Sequence, residues 1–343
     1  MVSLADVLLN NTSLLTPGSG PICALVGCTE GIGQATLHAV LRHTSSPTIY
    51  VVGRGGPGGV DTTIAAAQGL NESATLIPIT AEDLGRVSCA QDAARAIVAS
   101  APPRLDLLII TAPSSPGHAF LSLGRWRRAS RDFPPAEDSL DRAACVRYLA
   151  RMRILITLLP LLRKAASPRV ACVVVGGGEG TLPLLLPPLE ATADAVTTLF
   201  FEHVARQPGN DKIVFLQISP GLAFPGSSNA ALLPFLWDWV LTPIFRLVGY
   251  TLAEEAGERV LFAATNGRFR RIQDPERAKG TLIQQGSDGV LGSGVYLVNA
   301  DSSVVEGGRD KELKRLRSGM DAEQKTWEYT MGELARIGGD GQD

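Results

Sequence analysis

The sequence predicts a doubly wound α/β fold, in which a parallel sheet of about seven strands is covered by helices on both faces. Two observations support this prediction. Short apolar runs alternate along the chain with longer segments of helical spacing, and the runs are apolar throughout, as strands buried on both faces require. The chain of 343 residues, 45% of them hydrophobic, is long enough to bury one large core.

The predicted elements alternate in a regular order. Apolar runs predict strands over residues 22–27, 48–54, 74–79, 105–112, 169–177, 212–221 and 294–299. Helical spacing predicts helices over residues 31–43, 61–70, 83–100, 142–165, 190–206 and 319–336. We therefore divide the chain into an N-terminal extension (1–20), a main domain (21–300) with a lid segment (225–290) near its end, and a charged helical C-terminal tail (301–343).

Composition and charge argue against several classes of function. The 32 basic and 34 acidic residues give a net charge of −2, which provides no reason to expect a nucleic-acid partner. The five cysteines are odd in number and lack the spacing of metal ligands, so we expect no metal site and a reducing, cytoplasmic compartment. The first residues carry no basic start and include Asp6, which makes them a poor secretory signal.

The most apolar stretch, residues 230–250, is a poor membrane-spanning helix because prolines, an aspartate and an arginine interrupt it. We interpret it as a lid over an apolar ligand, and contact with a membrane surface is the alternative. Residues 180–189 are similarly rich in Leu and Pro. Both segments predict a large, mostly apolar small-molecule substrate.

A glycine-rich turn follows the first predicted strand. Gly27, Gly31 and Gly33 lie where that strand gives way to the first helix. Glycine suits a tight turn whose backbone approaches a pyrophosphate closely, and the positive end of the helix then stabilises the anion. The turn therefore predicts a Rossmann-type domain that binds a dinucleotide.

The turn resembles that of the short-chain dehydrogenase/reductase family, which reads Thr-Gly-x-x-x-Gly-Ile-Gly. Residues 26–33 read Val-Gly-Cys-Thr-Glu-Gly-Ile-Gly, so only the leading Thr is lost. The resemblance extends over roughly residues 20–265. It implies cofactor contacts from the turn and from the ends of later strands, namely Gly27, Thr29, Glu30, Gly31, Ile32, Gly33, Arg54, Asp83, Thr111, Ala112, Pro220 and Gly221.

The resemblance implies NADP(H) ahead of NAD(H) as the cofactor. Family members that prefer NADP often carry an arginine at the end of the second strand for the 2′-phosphate, and Arg54 stands there. Glu30 argues against this choice, because its position is often basic in the NADP users and a carboxylate would repel a phosphate. Asp83 matches a residue that the family places near adenine, and Pro220-Gly221 matches the Pro-Gly that lines the nicotinamide pocket.

Residues 146–182 resemble fungal branches of the family more narrowly. Many members of those branches occur beside specialised-metabolite pathways for polyketides, terpenoids and alkaloids. Family members commonly pair through the helices after the fourth and fifth strands. The resemblance therefore also implies a homo-oligomer.

Active members of the family use Asn, Ser, Tyr and Lys, with Tyr as the general acid or base. Counting along the chain, these four positions hold Arg147, either Gly176 or Gly177, Glu190 and Asp194. A slip of one residue would place Leu189 and Ala193 at the last two positions instead. Neither register contains Tyr or Lys, so we do not expect ordinary carbonyl reduction.

Three functions remain open. In the first, Glu190 and Asp194 share a helix face and act as acid and base in isomerisation, dehydration or cyclisation; alternatively, both are ordinary acids at the start of a helix. In the second, hydride transfer persists with Tyr148, Glu179 or a water as the acid, although Tyr148 also suits packing and Glu179 a turn. In the third, the protein binds a ligand or partner without catalysis. Nucleotide binding is then either retained or vestigial.

Overall fold

A computed structural model of the chain describes residues 1–111 apart from Pro17 and Ser19, followed by 148–174, 188–224, 250–272, 281–305, 311–317 and 321–338. The strands in this part of the chain are β1 (Ile22–Val26), β2 (Thr48–Gly53), β3 (Thr75–Thr80), β4 (Leu107–Ile110), β5 (Arg169–Val173), β6 (Val214–Ile218), β7 (Leu222–Phe224), β8 (Tyr250–Leu252) and β9 (Val295–Val298). The helices are α1 (Leu4–Thr12), α2 (Gly31–His43), α3 (Val60–Ala67), α4 (Val87–Ala99), α5 (Ala150–Leu162), α6 (Pro188–Arg206), α7 (Ala253–Thr265), α8 (Lys311–Arg317) and α9 (Ala322–Gly338).

Seven of the strands form one parallel sheet in the order β3-β2-β1-β4-β5-β6-β9, and β7 pairs with β8 in a separate two-stranded sheet. The chain runs outward from β1 to β3, returns to β4 beside β1, and then runs outward in the other direction. This order confirms the doubly wound fold that the alternating runs predict. It places the switch in direction between β1 and β4, where such sheets bind their ligands.

The sheet separates two hydrophobic cores. One core lies against α4, α5, α6 and α9, and the other against α1, α2, α3 and α7. Every residue of β4, β5, β6 and β9 is buried, which explains why these runs contain no alternation of polar and apolar residues. The apolar positions that predict α4 are buried as well, namely Val87, Ala90, Ala94 and Ile97.

The predicted lid segment 225–290 contains a helix of the core, which the prediction missed. Helix α7 buries Val260, Leu261 and Phe262 beneath the sheet. A Cβ on Gly257 would lie 2.5 Å from the backbone carbon of Ala35, so α7 and α2 approach each other closely at that point. Residues 225–249, which include most of the apolar stretch interpreted as a lid, lie outside the described part of the chain.

The N-terminal extension and the C-terminal tail both pack against the main domain. Asn11 of α1 is fully buried, and its amide donates to the backbone oxygen of Glu258 at 2.9 Å and to the side chain of Glu258 at 2.8 Å. In α9, Trp327 stacks on Phe200 and His203 of α6 with ring centroids 5.4 Å and 4.9 Å apart. The helix predicted over 319–336 is thus present as α9. None of the described helices is long and apolar enough to cross a membrane.

Candidate functional site

Three positions of the glycine turn between β1 and α2 favour glycine, two by their backbone angles and one by the lack of space for a side chain. Gly27 and Gly31 have φ angles of +83° and +57°, in the left-handed region. A Cβ on Gly33 would lie 2.5 Å from Oγ1 of Thr111, 2.9 Å from Cα of Cys28 and closer still to the carbonyl oxygen of Gly27. The turn therefore leaves no room for a side chain at Gly33.

Neighbouring strands hold this turn in place. The hydroxyl of Thr111, directly after β4, donates to the carbonyl oxygens of Val26 and Gly27 at 3.0 Å each. The Gly27 N–H donates to the carbonyl oxygen of Val52 in β2 at 2.9 Å. Because β1, β2 and β4 all contribute, the sheet fixes the shape of the turn without a ligand.

Thr29 and Ile32 complete the turn. A Cβ on Gly53 would lie 2.5 Å from Cγ2 of Thr29, so the end of β2 packs directly under that threonine. Ile32 packs against the second core. Cys28 is buried, and burial raises the pKa of its thiol to about 12, so Cys28 is a packing residue and not a nucleophile.

Glu30 and Arg54 form an ion pair beside the turn. The guanidinium of Arg54 lies 3.4 Å from the carboxylate of Glu30, and the two side chains are 65% and 78% exposed. Exposed pairs of this kind contribute between 0 and about 1 kcal/mol, so a ligand can separate them at little cost. The two charged residues that the resemblance implies in the choice between NADP and NAD therefore contact each other.

Asp83, Pro220 and Gly221 lie at the same edge of the sheet, since Asp83 follows β3 and the other two follow β6. The carboxylate of Asp83 accepts the Gly85 N–H at 2.8 Å, which closes a tight turn. Pro220 is buried, and Gly221 has a φ of +72°. Carboxyl ends of parallel strands meet at one edge, so these residues share the edge of the glycine turn. Ala112 lies outside the described residues.

Helix α6 follows β5 at that edge and contains neither Tyr nor Lys. Glu190 lies in its first turn, and the Glu190 side chain lies outside the described part of the chain. Asp194 stands one turn further on and is partly exposed. The Thr198 hydroxyl, another turn along, lies 3.2 Å from the Asp194 carbonyl oxygen and 3.0 Å from Oε1 of Gln217 in β6. Glu179 is outside the described residues.

The prediction missed a buried arginine at the end of β5. Arg151 of α5 is 3% exposed, and its guanidinium donates to the carbonyl oxygen of Val173, the last residue of β5, at 2.8 Å. The same nitrogen lies 3.8 Å from Sγ of Cys172. A single Arg on the apolar face of a helix was the available signal.

Tyr148 lies in the core. It is 6% exposed, its ring meets Phe200 edge-on at 6.2 Å, and its hydroxyl bonds Oγ1 of Thr330 in α9 at 2.5 Å. Burial raises the pKa of this phenol well above its usual range. These contacts favour the packing alternative over the proposed role of Tyr148 as an acid.

A cavity of about 310 Å³ lies at the opposite ends of the strands from the glycine turn, next to Val295 at the start of β9. The buried carboxylate of Glu202 lines it and accepts from the Ser287 hydroxyl at 2.5 Å while pairing with Arg317. Because this cavity lies at the amino ends of the strands, it is separate from the glycine turn. Among the described residues, no cluster of His, Cys, Asp or Glu could hold a metal ion.

Comparisons with known proteins identify the family. No family model matches the chain. Oxidoreductase AN1596 of Emericella nidulans is 30% identical over 324 residues, which cover 89% of this chain and 90% of that protein. Oxidoreductase lepF of Aspergillus flavus is 27% identical over 96% of each chain. The solved L-sorbose reductase of Gluconobacter frateurii, complexed with NADPH and L-sorbose, superposes with a TM-score of 0.55 at 15% identity, covering 85% of this chain and 97% of that one.

The chain belongs to the family of fungal oxidoreductases that includes AN1596, and its fold is that of the solved short-chain dehydrogenases/reductases. This assignment confirms the resemblance inferred from the glycine turn. The likeness to the sorbose reductase concerns the fold, and AN1596 and lepF match nearly the whole chain.

Proposed function

We propose that this short-chain dehydrogenase/reductase binds NADP(H) at its glycine turn and converts a large apolar intermediate of fungal specialised metabolism without net redox chemistry. The observation that carries the proposal is an intact glycine turn beside a helix α6 that contains neither Tyr nor Lys. The reaction is an isomerisation, dehydration or cyclisation of a polyketide- or terpenoid-like molecule.

The turn fits a dinucleotide because its own backbone fills the space that a side chain would need. A Cβ on Gly33 would collide with the turn, whereas a Cβ on Gly31 would meet no atom within 4 Å, so the outer side of the turn is open. The residues from Gly27 to Gly33 would hold the pyrophosphate, Asp83 the adenine end and Pro220-Gly221 the nicotinamide end. When bound, the nicotinamide can supply or accept a hydride.

Arg54 supports NADP(H) over NAD(H). Arg54 directly follows β2, and its exposed guanidinium contacts Glu30 at the turn. A 2′-phosphate would draw Arg54 away from Glu30, since charge-assisted bonds to phosphate are stronger than an exposed ion pair. Glu30 would then repel the phosphate, so the preference is moderate.

Glu190 and Asp194 supply the proton transfers. They are four residues apart on α6 and therefore lie on one face of the helix. Thr198 continues that face and contacts Gln217 of β6, so the face is directed at the ends of β5 and β6. In an apolar pocket two nearby carboxyl groups favour one ionised and one neutral form, which act as base and acid.

The proposed enzyme is a homo-oligomer without nucleic-acid partners, and only residues 230–250 would touch a membrane. Helix α9 covers part of α6 through Trp327. A partner subunit that approached this side of α6 would therefore contact α9. Sedimentation of the purified chain measures the state directly.

A second function is hydride transfer to the same class of substrate with a non-standard acid. The complete glycine turn favours it, because a superfamily member that no longer used its cofactor would have no need to exclude a side chain at Gly33.

One experiment separates these functions. The purified protein is titrated with NADPH and NADH, with nicotinamide fluorescence as the readout, and is then incubated with intermediates of its pathway and NADPH deuterated at C4. Micromolar binding of NADPH, with products of unchanged mass or one water lighter and free of deuterium, supports the proposal. Products that gain deuterium establish hydride transfer instead. If neither nucleotide binds at millimolar concentration, the cofactor part of the proposal is refuted.

The carboxylates are tested by Glu190→Gln and Asp194→Asn. We expect each to lower product formation at least tenfold while leaving NADPH binding unchanged. Asp211→Asn is the matched control, because Asp211 lies at the distant cavity. Unchanged products from both variants would remove the acid–base proposal.

A further inference from the structure

The cavity at the amino ends of the strands combines charged, polar and apolar side chains. Its volume of about 310 Å³ lies at the lower end of the range of about 300–1,000 Å³ that is typical of small-molecule sites. Glu202 and Ser293 line it, and Ile272 and Val295 add apolar surface. The cavity therefore has the size and the mixed lining of a ligand site that is separate from the glycine turn.

One oxygen of the Glu202 carboxylate has no donor within the described part of the chain. Glu202 is 3% exposed, and its Oε1 accepts from the Ser287 hydroxyl at 2.5 Å and from the guanidinium of Arg317. Its Oε2 is buried as well and has no hydrogen-bond partner among the described residues. Buried carboxylate oxygens are normally bonded, because losing water without a replacement is costly. The unused oxygen therefore indicates a donor that enters the cavity from outside the chain.

The Ser293 hydroxyl is a second buried group of this kind. Its Oγ likewise lacks a partner within the ranges that the structure describes. A Cβ on Gly286 would collide with this Oγ, so only glycine at that position leaves room for the hydroxyl. Asp288 also lines the cavity, and its Oδ1 accepts the Val290 N–H at 3.0 Å, which holds the carboxylate in place. The cavity thus offers acceptor oxygens from three side chains.

The charges around the cavity leave it slightly negative. Arg206 lines it but pairs with Glu323 of α9. Burial lowers the pKa of Arg271, and the Asp211 carboxylate raises it. Arg206 lowers that pKa further and Asp288 raises it, so two carboxylates act on this one guanidinium. Since the buried carboxylate already has its own guanidinium, one negative charge remains in excess.

We propose that this cavity binds a compact primary amine in its ammonium form. The ammonium group donates to Oε2 of Glu202, to Oγ of Ser293 and to the carboxylate of Asp288. A short carbon chain of the ligand packs against Ile272 and Val295. An ammonium group has three donors, no acceptor and one positive charge, which matches the acceptors and the excess charge of the cavity. The site goes beyond the proposed function, because it involves neither the glycine turn nor the carboxylates proposed for proton transfer.

Titration of the whole chain with n-butylammonium chloride tests the site directly. Calorimetry should show saturable binding with a Kd of about 1 mM, which is within what the five non-hydrogen atoms of this probe can supply. The probe should also raise the Tm, because it binds the folded chain and not the unfolded one. Absence of saturable binding would mean that the cavity holds water only, and would overturn the inference.

Three matched probes at equal ionic strength separate the parts of this recognition. 1-Butanol keeps the carbon chain without the charge, butyrate reverses the charge, and tetramethylammonium keeps the charge without an N–H donor. We expect each of them to bind about tenfold more weakly than n-butylammonium, or not at all. Equal binding of 1-butanol or butyrate would overturn the assignment to an amine. Equal binding of tetramethylammonium would overturn the hydrogen bonds to Glu202 and Ser293.

Variants of the lining test whether the amine occupies this cavity. Glu202→Gln should weaken n-butylammonium binding about tenfold, and Ser293→Ala and Asp288→Asn about threefold each. Glu72→Gln is the matched control, because Glu72 is exposed and precedes β3, the edge strand opposite β9. If Glu202→Gln does not fold, the other two variants decide the question. Unchanged affinity in both of them would overturn the inference.

Discussion

Replacing Gly33 by alanine is the sharpest test of the glycine turn, because the structure shows what the added methyl group would meet. Its Cβ would lie 2.5 Å from Oγ1 of Thr111 and 2.9 Å from Cα of Cys28. One of these neighbours is backbone, and the Thr111 hydroxyl is held by two carbonyl oxygens at 3.0 Å. Neither can move away without breaking a contact that shapes the turn.

The expected cost follows from this crowding. Ordinary carbon contacts begin near 3.5 Å, so the turn must open by roughly 1 Å to accept the methyl group. Overpacking of this kind costs about 1–3 kcal/mol. The same movement displaces the N–H groups that would face a pyrophosphate, and every 1.4 kcal/mol lost from binding is about a tenfold change in affinity. We therefore expect NADPH binding to weaken at least tenfold.

Two other glycines provide graded controls for this substitution. Gly31 has a φ of +57° and open space around its Cβ position, so Gly31→Ala meets only backbone strain of about 1–2 kcal/mol. Gly69 has open space and no left-handed φ, so Gly69→Ala should be neutral. Urea unfolding and NADPH fluorescence titration of the three variants should rank the losses as Gly33, then Gly31, then Gly69. A Gly33→Ala variant as stable and as well bound as Gly69→Ala would refute the reasoning.

Three further predictions concern the tail, the pH response and nucleotide choice. Trp327→Ala removes the stack on α6. It should lower the free energy of unfolding by about 3 kcal/mol, the lower end of the usual range, because the indole is only partly buried. Calorimetry measures this loss, and an unchanged Tm would contradict the packing. Burial, followed by repulsion from Arg206, lowers the pKa of His203 below 6.5, so the unfolded chain binds the proton more readily and stability should fall as the pH drops below about 6.5. His203→Gln should flatten that part of the urea-midpoint profile between pH 7.5 and 5. Arg54→Gln should weaken NADPH binding about tenfold and leave NADH binding unchanged, and equal losses for both nucleotides would remove Arg54 from the 2′-phosphate site.

The sequence predicts the sheet well because its signals are local. The central strands β4, β5 and β6 are buried on both faces, the edge strand β3 is largely exposed or half-buried, and α2 ends at His43 as predicted. The prediction missed α7, although Val260, Leu261 and Ala264 have helical spacing, because residues 225–290 were assigned to the lid that the apolar stretch 230–250 predicts. Its function as a core helix depends on α2, more than 200 residues earlier in the chain.

The candidate site divides in the same way. The glycine turn is predictable because its strand, turn and helix are consecutive in sequence. The position of Tyr148 in the core is not predictable in this way, because its hydroxyl bonds Thr330, which is 182 residues away in the sequence. Arg151 escapes notice for the same reason, since its contact with Val173 depends on how α5 lies over β5. An arginine in an apolar helix indicates that its stem packs in the core but does not identify its partner.

The glycine turn and the carboxylates proposed on α6 depend on different parts of the fold. The shape of the glycine turn is held by β1, β2 and the end of β4, through Val52 and Thr111. The charges of Arg151 and Asp194 are placed by α5, β5 and α6. Because these two sets of elements do not overlap, we expect a substitution in the turn and a substitution on α6 to act independently. Gly33→Ala should therefore weaken NADPH binding and leave unchanged the stability lost when Trp327→Ala removes the stack on α6, whereas clearly non-additive losses in the double variant would show that the two halves act as one unit.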